Sequence, residues 1–276
     1  MRKAIIVAVL LLSSAMAATG AEAKEKKPAP AAAAKKTVCV ISEATQRFQL
    51  KKIGLMVFAN EDNTIRITDW KLDERLYAKT KALLGKNFNV KPIPASYEVF
   101  QPMHEEGGGL FRDREGEMKA MVEKTVAGSN CDFVLVVMCG GSQFSSSNQF
   151  LTGLGVLETG TEAFGHNREI YALTYLSVFD GKSLAPLKGE QGGSDKPLFF
   201  EAIRGPSKPV DVKVYPSLQS VADDPKTRDV VWSLMERSLD LTLPQLFEVK
   251  SLETAAKESA DTAAGRAKKK DDWAPF

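Results

Sequence analysis

A chain of 276 residues, 43% of them hydrophobic, is long enough to bury a substantial core. Its 37 Lys and Arg stand against 35 Asp and Glu, but residues 38–252 carry 25 basic and 28 acidic side chains. A slightly acidic body excludes nucleic acid as a partner, because nucleic-acid binders concentrate Lys and Arg on one face.

Arg2 and Lys3 precede the apolar segment Ala4 to Leu12, which is followed by the A-x-A sequences Ala15-Met16-Ala17 and Ala21-Glu22-Ala23. This order predicts a secretory signal peptide over residues 1–23, cleaved after Ala17 or Ala23. The apolar core is too short to span a bilayer, and no later stretch reaches the ~18 apolar residues of a membrane helix. A secreted or periplasmic bacterial protein without an integral membrane span is expected. Residues 24–37 form a Lys/Ala/Pro-rich linker with no large apolar side chain to bury. Its lysines are suited to weak contact with an anionic surface.

Residues 38–250 read as one α/β domain. Val38 to Ile41 is an additional edge strand, and Ile53 to Phe58 is the opening strand, running into Asn60-Glu61-Asp62. Thr68 or Asp69 caps a helix carrying Leu72, Leu76, Leu83 and Leu84 on one face, with Gly85 as its stop. Phe88 to Val90 is a short strand ended by Pro92 and Pro94. Met118, Met121, Val122 and Val126 line a second helix that stops at Gly128. Cys131 to Met138 is apolar at nearly every position, as in a strand covered on both faces.

The Gly/Ser/Asn-rich stretch 140–168 reads as a flexible connection. Glu169 to Phe179 is then one strand, Asp180-Gly181 a hairpin turn and Ser183 to Leu187 the return strand. Val210 to Val214 is a further strand. Asp224 caps a last helix with Pro225 at its first position and Pro244 near its end. Residues 251–276 form a low-complexity polar tail, helical in part. The fold class is therefore α/β, a mixed sheet packed with helices in the order strand, helix, strand, helix, strand, hairpin, helix.

Cys131 and Cys139 lie about 26 Å apart along one strand, beyond disulfide reach. Cys39 can pair with one of them, yet three cysteines leave one over and imply no framework. Buried free thiols are expected.

The 140–155 stretch fails each phosphate and nucleophile pattern it suggests. Gly140-Gly141 is followed by no Walker lysine, Gly153-Leu154-Gly155 lacks the third fingerprint glycine, and Gly140 to Phe144 is not GxSxG. His104 and His166 are the two histidines, and Gly108 breaks an HExxH reading. No catalytic residue, metal set or cofactor is assigned. Aromatic and aliphatic groups on flexible stretches, Leu110, Phe111, Phe199, Phe200, Trp273 and Phe276, are candidate anchors for a partner, or tuck back onto the domain.

Lys52 to Phe58, Asn130 to Val136, and Tyr171 to Phe179 with Asp180-Gly181-Lys182 resemble successive strands of the CsgG-like and TolB-N-terminal-like envelope families over about residues 50–190. The resemblance implies a compact α/β domain of bacterial envelope assemblies, usually without catalysis. CsgG-like channel subunits carry an acylated N-terminal Cys, which is missing here. The leading expectation is a periplasmic, non-enzymatic domain that binds an envelope protein or assembly. The first alternative is a serine-dependent hydrolase or small-ligand enzyme using Ser142, Ser145 to Ser147, His166 or the Glu61/Asp62 loop. The second is a subunit of an outer-membrane secretion pore. Nothing in the sequence sets the oligomeric state.

Overall fold

The structure, a computed structural model, describes residues 34–44, 46–54, 60–95, 97–104, 113–144, 149–161, 165–195 and 203–271. From Lys35 onward the chain forms one unit, and it has the expected α/β class: mixed sheets packed with helices. Its strands are shared between two five-stranded sheets and one two-stranded ribbon.

In the first sheet, β1 (Thr37–Ser42) lies between β4 (Asn89–Pro92) and β5 (Phe133–Cys139), parallel to both. The expected edge strand is thus interior, hydrogen-bonded to a neighbour along each of its two edges. β10 (Thr174–Asp180) joins β5 antiparallel, and β11 (Pro186–Gln191) closes the order β11-β10-β5-β1-β4. The Asp180-Gly181 hairpin connects β10 to β11 as expected. Asp180 accepts hydrogen bonds from the N–H groups of Lys182 and Ser183 and from the Ser183 hydroxyl.

The second sheet runs β12-β9-β8-β2-β3. β2 (Arg47–Ile53) pairs antiparallel with β3 (Glu61–Arg66) and parallel with β8 (Leu154–Thr161). β9 (Gly165–Ala172) lies between β8 and β12 (Ser207–Val210), antiparallel to both. The opening strand therefore ends at Ile53, and Leu55 to Phe58 fall outside the described residues. The strand expected over Val210 to Val214 is displaced to β12, because the chain turns at Asp211, whose carbonyl accepts from the N–H groups of Val214 and Tyr215.

The stretch 140–168 is not a loose connection. It supplies β8, the start of β9, and a small ribbon of β6 (Gly141–Gln143) and β7 (Phe150–Thr152). Nor is 169–179 one strand: Leu173 separates β9 from β10, which belong to different sheets. Three crossings meet there. Gly140 N–H donates to Leu173 C=O at 2.9 Å, Leu173 N–H to Gly153 C=O at 2.8 Å, and Gly153 N–H to Gly140 C=O at 2.9 Å. Glycine is required at two of these corners. A Cβ on Gly140 would lie 2.6 Å from the Thr174 carbonyl, and Gly153 has φ +63°.

Both sheets turn one face to a common core. Val38, Val40, Leu135 and Leu176 from the first sheet join Phe48, Leu50, Val156 and Ile170 from the second. Leu72, Leu76 and Leu84 of α1 (Leu72–Leu84) and Val231, Met235, Leu239 and Leu243 of α5 (Pro225–Leu246) complete it. α2 (Tyr97–His104) and α3 (Arg114–Val126) cover the other face of the first sheet, around Cys39, Ile41, Val134 and Val136. A smaller cluster of Leu151, Leu157, Tyr171, Leu173 and Ile203 lies behind the second sheet.

Local signals decide the helix ends. Asp224 caps α5 by accepting from the Lys226 N–H, with Pro225 at N1. Pro244 lies inside α5, in its last turn. At α1 the cap is Lys71, at φ 53°, with no side-chain hydrogen bond, because Thr68 and Asp69 are taken up in a 3-10 turn. Ser217 caps the short α4 (Leu218–Asp223). In the tail, Val249–Asp271 forms α6, anchored through the buried Leu252. Of the linker lysines, Lys35 donates to the Gly85 carbonyl and Lys36 to Glu253.

The expectation of free thiols fails for two cysteines. Cys39 and Cys131 form a disulfide with Cα atoms 5.7 Å apart, closing a sequence separation of 92. The chain enters β5 through Asn130 at φ 47° and places Cys131 against Cys39 of the neighbouring β1. Cys139 remains a free thiol.

Candidate functional site

Strand register assembles one charged row across the second sheet. Glu61 is opposite Lys52, Lys52 opposite Glu158, and Glu158 opposite Arg168. Directly opposed residues point to the same face, so four alternating charges line up at one end of the core-facing side. The Arg168 guanidinium donates to the Glu158 carboxylate through Nε and Nη2 and to the carbonyls of Tyr215 and Pro216. Both side chains are over nine-tenths buried. Lys52 Nζ lies 3.5 Å from Glu61 and 3.7 Å from Glu158. His166 Nδ1 is 3.4 Å from the same Glu158 carboxylate. Clefts of about 300 and 700 Å³ flank the row, with Arg168 lining both. The charges already neutralise one another, so the row acts first as a clasp between β8, β9 and the Tyr215–Pro216 segment.

Glu61 and Asp62 belong to β3, not to a loop. Asp62 accepts from Lys51 and Gln49, and Gln49 in turn accepts from the Tyr171 hydroxyl at 2.6 Å. Ser142 is buried, with its Oγ accepting from Arg204 N–H at 2.9 Å and donating to the Gln143 carbonyl. Neither of those two hydrogen bonds of its hydroxyl involves the His166 imidazole. Ser145 to Ser147, and the proposed anchors Leu110, Phe111, Phe199, Phe200, Trp273 and Phe276, lie outside the described residues, as does the side chain of His104. Among the described residues, no group of three or more His, Cys, Asp or Glu gathers to hold a metal ion.

Cys139 ends β5 beside a buried carboxylate. Its N–H donates to Glu43 Oε1 at 2.8 Å. Burial, and then the Glu43 charge, push the thiol well above its ordinary value, so it stays protonated at neutral pH and is a poor nucleophile.

A second kind of cleft lies at the carboxyl ends of β1 and β4. After β1 the chain passes to the core-facing side of the first sheet; after β4 it passes to α2 on the opposite side. Diverging exits of this kind open ligand crevices in α/β sheets. The cleft measures about 440 Å³. Val40, Leu76, the Tyr77 ring, Pro92, Ile93 and Pro94 form an apolar wall, and Asp73 and Glu74 of the first turn of α1 lie at its border. Tyr77 is held by its hydroxyl, which donates to the Val90 carbonyl at 3.1 Å. Sequence reading missed this site, since its parts come from positions 40, 73–77 and 92–95. The signal that could have found it is the strand-ending Pro92-Ile93-Pro94 set against the acidic start of α1.

No protein-family model matches the sequence, and no curated protein matches it. Among solved structures, the chain is similar to a protein described as a neuraminyllactose-binding hemagglutinin homolog from Helicobacter pylori, with a TM-score of 0.39 and 10% identity, covering 82% of this chain and 90% of that one. It is also similar to the hypothetical protein CT253 from Chlamydia trachomatis, with a TM-score of 0.26 and 12% identity, covering 75% and 99%. Neither likeness carries an activity across.

Proposed function

We propose that this chain is a non-enzymatic binding domain that works outside the cytoplasm and docks an envelope protein. The observation that carries the reading is the preformed cleft at the ends of β1 and β4. Its apolar wall suits an aliphatic or aromatic side chain, and the Asp73 and Glu74 carboxylates suit a basic residue beside it. The signal-peptide sequence and the buried Cys39–Cys131 disulfide support an oxidising compartment. The resemblance to CsgG-like and TolB-N-terminal-like domains points the same way. For the hydrolase alternative, Ser142 offers little, because its oxygen is buried and already hydrogen-bonded. Among the described residues no helix is long and apolar enough to cross a membrane.

The test is mild crosslinking in the native envelope with the wild-type chain and two cleft variants. Ala95→Arg fills the cleft and Glu74→Lys reverses its border charge. A distinct envelope protein, recovered with wild type and lost with both folded variants, is expected. Equal recovery with all three chains refutes the cleft as the docking site, and recovery of no second protein refutes the function.

A further inference from the structure

β3 is the terminal strand of the second sheet. Its inner edge pairs with β2, and among the described residues no strand pairs with its outer edge. All of its residues except Ile65 are exposed. Such an edge is a template for another strand unless something blocks it. Charged side chains usually block it by meeting like charges, so the charge pattern of β3 decides the matter.

Glu61, Asn63 and Ile65 share the core-facing side with Lys52, Leu50 and Phe48, whereas Asp62, Thr64 and Arg66 share the other side with Lys51, Gln49 and Arg47. Arg66 is directly opposite Arg47. Like charges so placed are unfavourable, and among the described residues Arg66 makes no ion pair with an acid. An acid on the outer edge would complement it.

A second copy of the same strand supplies one. Two antiparallel strands related by a twofold axis keep their faces, so each residue can oppose only residues of its own side. Two central registers are then available. Centred on Asn63, the pairing puts Asp62 opposite Thr64 and leaves Arg66 without an acid. Centred on Thr64, it puts Asp62, which also accepts from Lys51 and Gln49 of its own chain, opposite Arg66 of the second copy, twice by symmetry, with Thr64 opposite Thr64 at the axis. Asn63 then opposes Ile65, and the cleft bordered by Glu61 and Asn63 leaves room there. Opposite-charge and Thr–Thr pairs both favour a ladder.

We propose that β3 pairs edge to edge and antiparallel with β3 of a second copy, about a dyad at Thr64, so that the second sheet runs continuously through a homodimer. The contact is isologous and self-closing, and main-chain hydrogen bonds join the strands while the Asp62–Arg66 pairs set the register.

The experiment uses the full mature chain with Cys139→Ser as background. Thr64→Cys places two thiols directly opposite, with Cα atoms about 4.5–5.5 Å apart, inside disulfide reach. Asn63→Cys places them on a diagonal about 7–8 Å apart, outside it. Under mild oxidation, Thr64→Cys is expected to give a covalent dimer on a non-reducing gel and Asn63→Cys to remain monomeric there. In sedimentation, wild type is expected to dimerise. Arg66→Asp should dissociate at least about tenfold more readily, since two attractive pairs become repulsive, and Asp62→Arg/Arg66→Asp should recover the dimer. A wild-type chain that stays monomeric at its highest soluble concentration overturns the proposal. So does equal crosslinking of the two cysteine variants, or an Arg66→Asp chain that dimerises like wild type.

Discussion

Removing the Cys39–Cys131 disulfide should cost this fold a large share of its stability. The double substitution Cys39→Ala/Cys131→Ala opens a closed loop with a sequence separation of 92. The chain-entropy relation for a loop of that length gives a loss of about 4.6 kcal/mol at 25 °C. For a domain of this size, 1 kcal/mol moves the midpoint of thermal unfolding by roughly 2–4 °C, so a fall of about 9–18 °C is expected. Cys39 is fully buried and packs with Ile41, Val134 and Val136 against α2 and α3, so the loss should reach the whole first sheet rather than one end of it. The assay is urea and thermal unfolding followed by circular dichroism, comparing oxidised wild type, wild type under reductant and the double variant. Thiol titration in denaturant supplies the bond count: one cysteine, Cys139, should react before reduction and three after it. The reasoning is refuted if three thiols react without reductant, or if the variant lies within about 1 kcal/mol of oxidised wild type.

Glu158→Ala should destabilise the fold by about 3–5 kcal/mol, because it leaves the buried Arg168 charge without its carboxylate, whereas Lys52→Ala, at the half-exposed end of the row, should cost less than about 1 kcal/mol; chemical denaturation separates the two. Asp180→Ala should cost about 1 kcal/mol at neutral pH. Burial pushes the Asp180 carboxyl up, but hydrogen bonds from Ser183 and Lys182 outweigh it and hold the group below its ordinary value. Its contribution is therefore complete above about pH 4 and lost as pH falls through the folded-state value, so the stabilities of variant and wild type should converge in acid. Cys139 in the folded chain should react with a maleimide on the order of tenfold or more slowly than in urea; equal rates would contradict the raised pKa of this half-buried thiol beside Glu43.

The sequence by itself determined the local elements whose signals are local. Gly128 stops α3 with φ +77°, Asp224 and Pro225 start α5, and Asp180-Gly181 turns β10 into β11. The unbroken apolar run at 133–138 had to become a strand buried on both faces. Its α/β class follows from those elements, because each helix stripe and strand face needs an opposite surface. What the tertiary structure decided is which strand lies beside which. The β-branched and aromatic run from Glu169 to Phe179 reads as one strand, but the corner at Leu173 is made by Gly140 and Gly153, far away in the chain. The charged row joins positions 61, 52, 158 and 168 through register, and the disulfide joins 39 to 131 through the parallel neighbours β1 and β5. Hydrophobic patterning says which face of a strand is buried, whereas pairing depends on contacts between segments that no local window contains.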